Sequence, residues 1–207
     1  MFLNLLLSSP GIHYVIRRFG SVKLRSRAFD AKYECGDWSF QNDTNELPEL
    51  IQRYLNKGDL LIMGCGSTPV LADLEAAGLN SALGIDLSPE AIRLANRFAS
   101  ERISFQVSDM ETFESSSAYD VILFSESLYY IPLSRQVQLL QRLAGFLKAN
   151  GVFIVTLAQP GRYRAILELI RTNYLVLEDR SFSGSVRHLI IFRAGKGQSD
   201  SSNPGLT

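Results

Sequence analysis

The stretch Asp59-Leu60-Leu61-Ile62-Met63-Gly64-Cys65-Gly66-Ser67, answered by Leu83-Gly84-Ile85-Asp86-Leu87-Ser88, decides the fold. Leu60 to Met63 is wholly apolar, as expected of a parallel strand covered on both faces. It runs into a glycine turn, where a backbone without Cβ atoms can approach a ligand closely. The helix that follows offers free N–H groups and the positive end of its dipole. Asp86 ends the second strand, about twenty residues beyond the turn, where dinucleotide folds place the acid that accepts from ribose hydroxyls. The two stretches together predict a nucleotide site.

The kind of nucleotide follows from what the turn lacks. Thr68-Pro69 stand where a pyrophosphate-binding GxGxxG would carry its third glycine, so close packing on a diphosphate is not supported and a nicotinamide oxidoreductase is disfavoured. Leu87, next to Asp86, suits an adenine face. A third strand, Ile103 to Val107, leads to Ser108-Asp109-Met110, where Asp109 is placed to accept from an adenine amine with Met110 against the ring. A fourth, Tyr119 to Phe124, ends in Ser125-Glu126-Ser127-Leu128-Tyr129-Tyr130.

From Leu47 to Arg193 these features resemble the class I S-adenosylmethionine-dependent methyltransferases. The resemblance implies S-adenosylmethionine as cofactor, with Gly64, Cys65 and Gly66 against its methionine part. It implies Asp86 and Leu87 on the ribose side, Asp109 and Met110 on the adenine, and Ser125 in the same cofactor-binding set. It also implies a strand order 3-2-1-4-5-7-6 with the seventh strand antiparallel. The Glu126-to-Tyr130 run, with Phe29-Asp30-Ala31-Lys32-Tyr33 and Gly36-Asp37-Trp38-Ser39-Phe40 upstream, is similar to nodulation-type sugar N-methyltransferases and to enzymes that methylate bacterial surface polysaccharides. Two positions depart from the family pattern. Ile62 stands where an acid is usual, and Thr68 where a glycine is usual.

Strands alternating with helices predict a doubly wound α/β sheet. The predicted helices are Leu47 to Leu55, Pro69 to Ala77, one begun by Ser88-Pro89-Glu90, Leu133 to Lys148, and Tyr163 to Arg171. Asn150-Gly151 is expected to turn into a fifth strand, Val152 to Leu157. The strands Tyr174 to Leu177 and Arg187 to Phe192 are close enough for a hairpin, so one edge strand is expected to be antiparallel. The expected organisation is a leader or cap over 1–46, a Rossmann-like domain over 47–194, and a disordered Gly/Ser/Asn-rich tail over 195–207.

A chain of 207 residues with 46% hydrophobic and 20% charged residues is an ordinary globular composition. Its net charge of zero gives no reason to expect nucleic acid as a partner. Cys35 and Cys65 cannot form a disulfide framework, and a bridge at Cys65 would obstruct the turn, so reduced thiols and a cytoplasmic location are expected. No Cys/His/Asp cluster has metal-ligand spacing, and no metal is expected. Residues 1–28 combine an apolar start with Arg17, Arg18, Lys23, Arg25 and Arg27, and no acid precedes Asp30. Two readings follow: weak contact with an anionic membrane surface, or a helix docked on the domain with its arginines solvated. The second is favoured because a single weak anchor holds poorly.

The catalytic residues expected are Glu126, as base or acceptor-orienting carboxylate, and Tyr130, lining the acceptor pocket with Tyr129. His188, on an apolar strand, is expected to be structural. The expected activity is methyl transfer to an amine or hydroxyl of a small molecule, a sugar or surface-glycan precursor. The alternatives are a protein lysine methyltransferase and a non-catalytic S-adenosylmethionine-binding protein.

Overall fold

A computed structural model of the chain describes residues 6–7, 9–35, 46–67, 70–76, 78–182 and 187–195. Thr68, Pro69, Trp38, Phe40, the first five residues and the tail over 196–207 lie outside the described residues. The elements run α1 (Pro10–Phe19), α2 (Val22–Glu34), α3 (Glu46–Leu55), β1 (Asp59–Met63), α4 (Val70–Ala76), β2 (Ser81–Asp86), α5 (Pro89–Ala95), β3 (Ile103–Val107), β4 (Tyr119–Ser125), α6 (Leu133–Ala144), β5 (Leu147–Leu157), α7 (Arg164–Asn173), β6 (Leu175–Ser181) and β7 (His188–Arg193).

The seven strands form one sheet in the order β3-β2-β1-β4-β5-β7-β6. Strands β1 to β5 pair in parallel, and β7 is antiparallel to both β5 and β6. The reversed strand is therefore not at the edge. The hairpin folds β7 back between β5 and β6, and β6 takes the edge.

Alternation along the central strands divides the core in two. Leu60, Ile62, Val121 and Leu123 pack with α3 (Leu50, Ile51, Leu55) and α4 (Leu71, Leu74) on one face. Leu61, Met63, Ile122 and Phe124 pack with α6 (Leu139, Leu140, Leu143) and α7 (Ile166, Leu167, Ile170) on the other. Successive strand residues point to opposite faces, so an unbroken apolar run serves both. Ile62 is fully buried in the first cluster, and its position contributes packing.

Three boundaries differ from expectation, the simplest being β6, expected over Tyr174 to Leu177 and running from Leu175 to Ser181. α6 ends at Ala144, capped by Gly145, and does not reach Lys148. Lys148 lies instead on a lengthened β5, where its ammonium pairs with Asp59 and Asp120, each at 2.7 Å. Asn150-Gly151 falls inside that strand beside a register irregularity. The ion pairs across the strand ends supply what the local sequence does not show.

The N-terminal helices are tied to the sheet domain. Asp30 on α2 accepts hydrogen bonds from Ser88 Oγ at 2.5 Å and from the Glu90 N–H at 3.1 Å, at the start of α5. Ser88 also caps α5 by accepting from the Ala91 N–H, as its sequence predicts. Arg25 is not solvated: its guanidinium pairs with Asp109 at 2.9 Å and Glu111 at 3.1 Å.

Candidate active site

The site is built at the carboxyl ends of β1, β2, β3 and β4. Gly64 and Gly66 adopt φ values of +71° and +57°, a region that L side chains avoid. A Cβ on Gly64 would stand 2.7 Å from Ser127 Cβ and 3.3 Å from Met110 Cε. The turn is fastened from both sides. The N–H groups of Gly64 and Cys65 donate to the Ile85 carbonyl at 2.8 Å, and Ser127 Oγ donates to the Met63 carbonyl. Cys65 is buried, and that burial pushes its thiol well above the ordinary range, which leaves it a packing residue rather than a nucleophile.

Asp86 is held by the loops around it. Its Oδ2 accepts from the Gly66 N–H and its Oδ1 from the Ser88 N–H, both at 2.9 Å. Each carboxylate oxygen retains a second lone pair, which is what a ribose diol needs. Burial pushes Asp86 up to about 6 against the pull of those N–H groups, and the charge of Asp30 adds to the rise. Leu87 follows, half-buried.

Asp109 is more crowded than its sequence suggests. Oδ2 accepts from Arg25 and Oδ1 from the Glu111 N–H at 3.0 Å. The Arg25 and Asp109 side chains are only 12% and 9% exposed, so α2 closes over the loop expected to meet adenine. No local signal marks Arg25, since its partner is 84 residues away. Met110 reaches Gly64 with its methyl and offers its carbonyl to Arg142 Nη2 at 2.7 Å. Ser125 ends β4, opposite Thr156 on β5. The bare glycine cradle, the two carboxylates and Met110 fit a nucleoside cofactor lacking phosphates.

Glu126 sits immediately beyond β4 at φ +55°, a strained value for a residue with a side chain. Its N–H lies 3.2 Å from Thr156 Oγ1, and its Oε2 accepts from the Ala158 N–H at 2.6 Å. Oε1 is buried and accepts no hydrogen bond among the described residues, with Arg187 Nε 3.9 Å away. The residue is 7% exposed. Burial raises its carboxyl above the usual range, against the Ala158 N–H and the Arg187 charge. Such a group is poised to accept a proton.

A cleft of about 200 Å³ is lined by Tyr14, Tyr129, Tyr130, Tyr163, Arg162 and a run of apolar side chains that includes Ile131, Pro132, Leu133 and Ile166. Tyr129 and Tyr163 stack with ring centroids 4.3 Å apart, and Phe29 of α2 meets Tyr130 edge-on at 5.2 Å. Glu126 is among the charges that, after burial, raise the Tyr129 phenol. Tyr33 of α2 is buried near Asp86, Cys65 and Tyr130, and so joins the two halves of the site. Tyr14, Tyr163, Arg162, Thr156 and Arg187 were not singled out from sequence, because four elements must come together to place them. His188 is structural as expected: its Nε2 is 2.6 Å from Asp179 Oδ1, within an ion-pair set that includes Arg171.

Comparison with known proteins bears on the fold. A family model described as a methyltransferase domain matches residues 60–151. The chain is 28% identical over 127 residues to a ubiquinone biosynthesis O-methyltransferase of Rickettsia akari, a match covering 60% of this chain and 49% of that protein. It is 31% identical over 101 residues to a 2-heptyl-1-hydroxyquinolin-4(1H)-one methyltransferase of Mycobacteroides abscessus, covering 46% of this chain and 44% of that protein. The chain thus spans about half the length of the curated relatives it matches. Among solved structures, the N-methyltransferase NodS from Bradyrhizobium japonicum, in complex with S-adenosyl-L-homocysteine, superposes with a TM-score of 0.62 at 20% identity, over 74% of this chain and 89% of that one. The methyltransferase-domain match runs from β1 into β5, and the strand order with its reversed seventh strand is that of the class I methyltransferase fold.

Proposed function

We propose that this chain transfers a methyl group from S-adenosylmethionine to a hydroxyl or amine of a small acceptor held in the tyrosine cleft. The observation that carries the reading is Glu126: buried, strained, raised in pKa, with no hydrogen bond to Oε1 among the described residues, and near enough to Tyr129 of that cleft for its charge to raise the phenol. When bound, the cofactor supplies a sulfonium methyl that is already electrophilic. Gly64, Cys65, Gly66, Asp86, Leu87, Asp109, Met110 and Ser125 would hold it. Glu126 would take the proton from the acceptor's O–H or N–H, freeing the lone pair that serves as nucleophile. Tyr130 and Tyr129 orient the acceptor, and their rings exclude water.

Among the described residues the cleft lining itself includes Arg162 and no carboxylate, and Glu126 is near it through Tyr129. That favours a flat, apolar acceptor with an acidic hydroxyl over a lysine ammonium. Two relatives are named for ubiquinone biosynthesis and for a hydroxyquinolinone, which is in line with a ring acceptor. Tyrosine faces and hydroxyls also suit a sugar ring, and a sugar or glycan precursor stands as the second reading.

Calorimetric titration with S-adenosylmethionine and its demethylated product, on the native chain and Asp86→Ala, tests the cofactor assignment. Loss of two charged hydrogen bonds predicts affinity weaker by about a hundredfold or more in the variant. A screen for methyl uptake by phenols, hydroxyquinolones, aminosugars and basic peptides then tests the acceptor. No binding by the native chain would end the proposal. Binding without turnover on any acceptor would leave a cofactor-binding protein without catalysis.

A further inference from the structure

Large exposed apolar side chains are concentrated in one place. Among the described residues they are Leu6 just before α1 and Ile12, Tyr14, Val15, Phe19, Val22 and Leu24 in the first two helices, against Val107, Leu133, Leu175 and Leu177 elsewhere. Ile12, Val15 and Phe19 are spaced i, i+3 and i+7, so they form one stripe along α1. The opposite requirement, holding α1 to the protein, is met by Leu7 and Ile16, which pack with Ala28 and Ala31 of α2. Phe19 is 74% exposed and, with Val22, flanks the Gly20-Ser21 turn between the helices.

Lys23 and Arg27 are exposed on α2, and in the sequence no acid precedes Asp30. A short apolar wedge that carries exposed cations on its second helix matches the headgroup boundary of an anionic bilayer. No helix of the described residues is long and apolar enough to cross a membrane, so the contact is with its surface.

The surface also adjoins the cleft. Tyr14, next in sequence to Val15 of the stripe, lines it, and so does the exposed Leu133. We propose that the α1–α2 hairpin docks this protein on an anionic lipid surface through Phe19, Val22 and the α1 stripe, so that the tyrosine cleft takes an amphiphilic acceptor from the bilayer. The docking stands without the methyl-transfer reading, and the acceptor clause rests on it.

The test is sedimentation of the full chain, without cofactor or acceptor, with vesicles of phosphatidylglycerol and phosphatidylcholine in equal parts, and with phosphatidylcholine alone. The expected result is binding to the anionic vesicles that weakens as salt is raised. Phe19→Ser with Val22→Ser is expected to reduce it about tenfold or more, from the apolar surface each side chain withdraws from water. Lys23→Glu with Arg27→Glu is expected to reduce it further at low salt than at high salt. Both pairs are exposed, and unchanged thermal melting would show that the fold is intact. No sedimentation of the native chain would overturn the proposal, as would equal binding by all variants. A concentration-dependent dimer in light scattering, abolished by the Phe19 and Val22 changes and accompanied by no vesicle binding, would assign the surface to a second copy instead. Because cofactor titration is a separate measurement, failure of docking and failure of the methyltransferase reading are distinguishable.

Discussion

Asp109 on its Arg25 pair aside, the two ends of the sheet treat carboxylates in opposite ways. At the amino end, Asp59 accepts from Asn80 and Ser81 through Oδ1 and pairs with Lys148 through Oδ2, and Asp120 takes Lys148 and the Asp59 N–H. Burial raises Asp59, but its hydrogen bonds to Lys148, Ser81 and Asn80 outweigh it and hold the group below its usual value. At the carboxyl end, Asp86 is pushed up to about 6 and Glu126 is raised as well, with one oxygen unsatisfied. A fully paired acid stabilises a fold. An acid held in place by backbone N–H groups, and left short of partners, has bonding capacity to spare for a ligand.

The largest effect that bears on this contrast is at Glu126. Glu126→Gln keeps the shape and removes the proposed base, and kcat is expected to fall about a hundredfold or more with little change in cofactor affinity. The native pH profile should carry an acid-side limb above the ordinary glutamate range, and the variant should lose it. Equal turnover in both would reduce Glu126 to a strained structural residue.

Gly64→Ala comes next. Its φ of +71° and the 2.7 Å approach to Ser127 Cβ both oppose a side chain. Urea unfolding should show a loss of about 2 kcal/mol or more. An unchanged midpoint would mean the turn is free to move.

A smaller effect is expected from titrating Asp86. Ribose hydroxyls donate best to the ionised carboxylate, so binding should favour the deprotonated form. Cofactor affinity should therefore be flat above pH of about 6 and fall as pH drops through that value. Asp86→Asn should bind weakly at every pH, without the break. A native affinity that does not vary across that range would place the ribose elsewhere.

The smallest effect is at the paired end. Lys148→Met should cost about 1 kcal/mol or less, because the ammonium is partly exposed, and should leave cofactor affinity unchanged. The depressed Asp59 contributes stability above its unfolded value of about 3.9, and that contribution is lost as pH falls through its lower folded value. Comparing Asp59→Asn with the native chain should show a stability gap at neutral pH that closes in acid. A larger effect on cofactor binding than on stability would break the distinction between the two ends.

Much of the sheet was legible because its rules are local. An apolar run such as Leu60 to Met63 needs cover on both faces wherever it lies, Ser88-Pro89 starts a helix by its own chemistry, and glycines at 64 and 66 permit a turn few other residues allow. Asp86, Asp109 and Glu126 could be placed at one edge because parallel strands end on the same side. Boundaries were less legible where partners are distant. The end of α6 and the lengthening of β5 depend on Lys148 meeting Asp59 and Asp120, and sequence spacing carries no trace of that contact.

The sequence by itself determined the doubly wound fold, the glycine cradle and the three acids, since periodicity and turn chemistry act within a few residues. Only the tertiary structure decided which acids are paired and which retain an open oxygen, that Arg25 lies on Asp109, and that Tyr14 joins Tyr129, Tyr130 and Tyr163 around one cleft. Those outcomes are set by desolvation and by contacts between groups far apart in the chain, which no local pattern encodes.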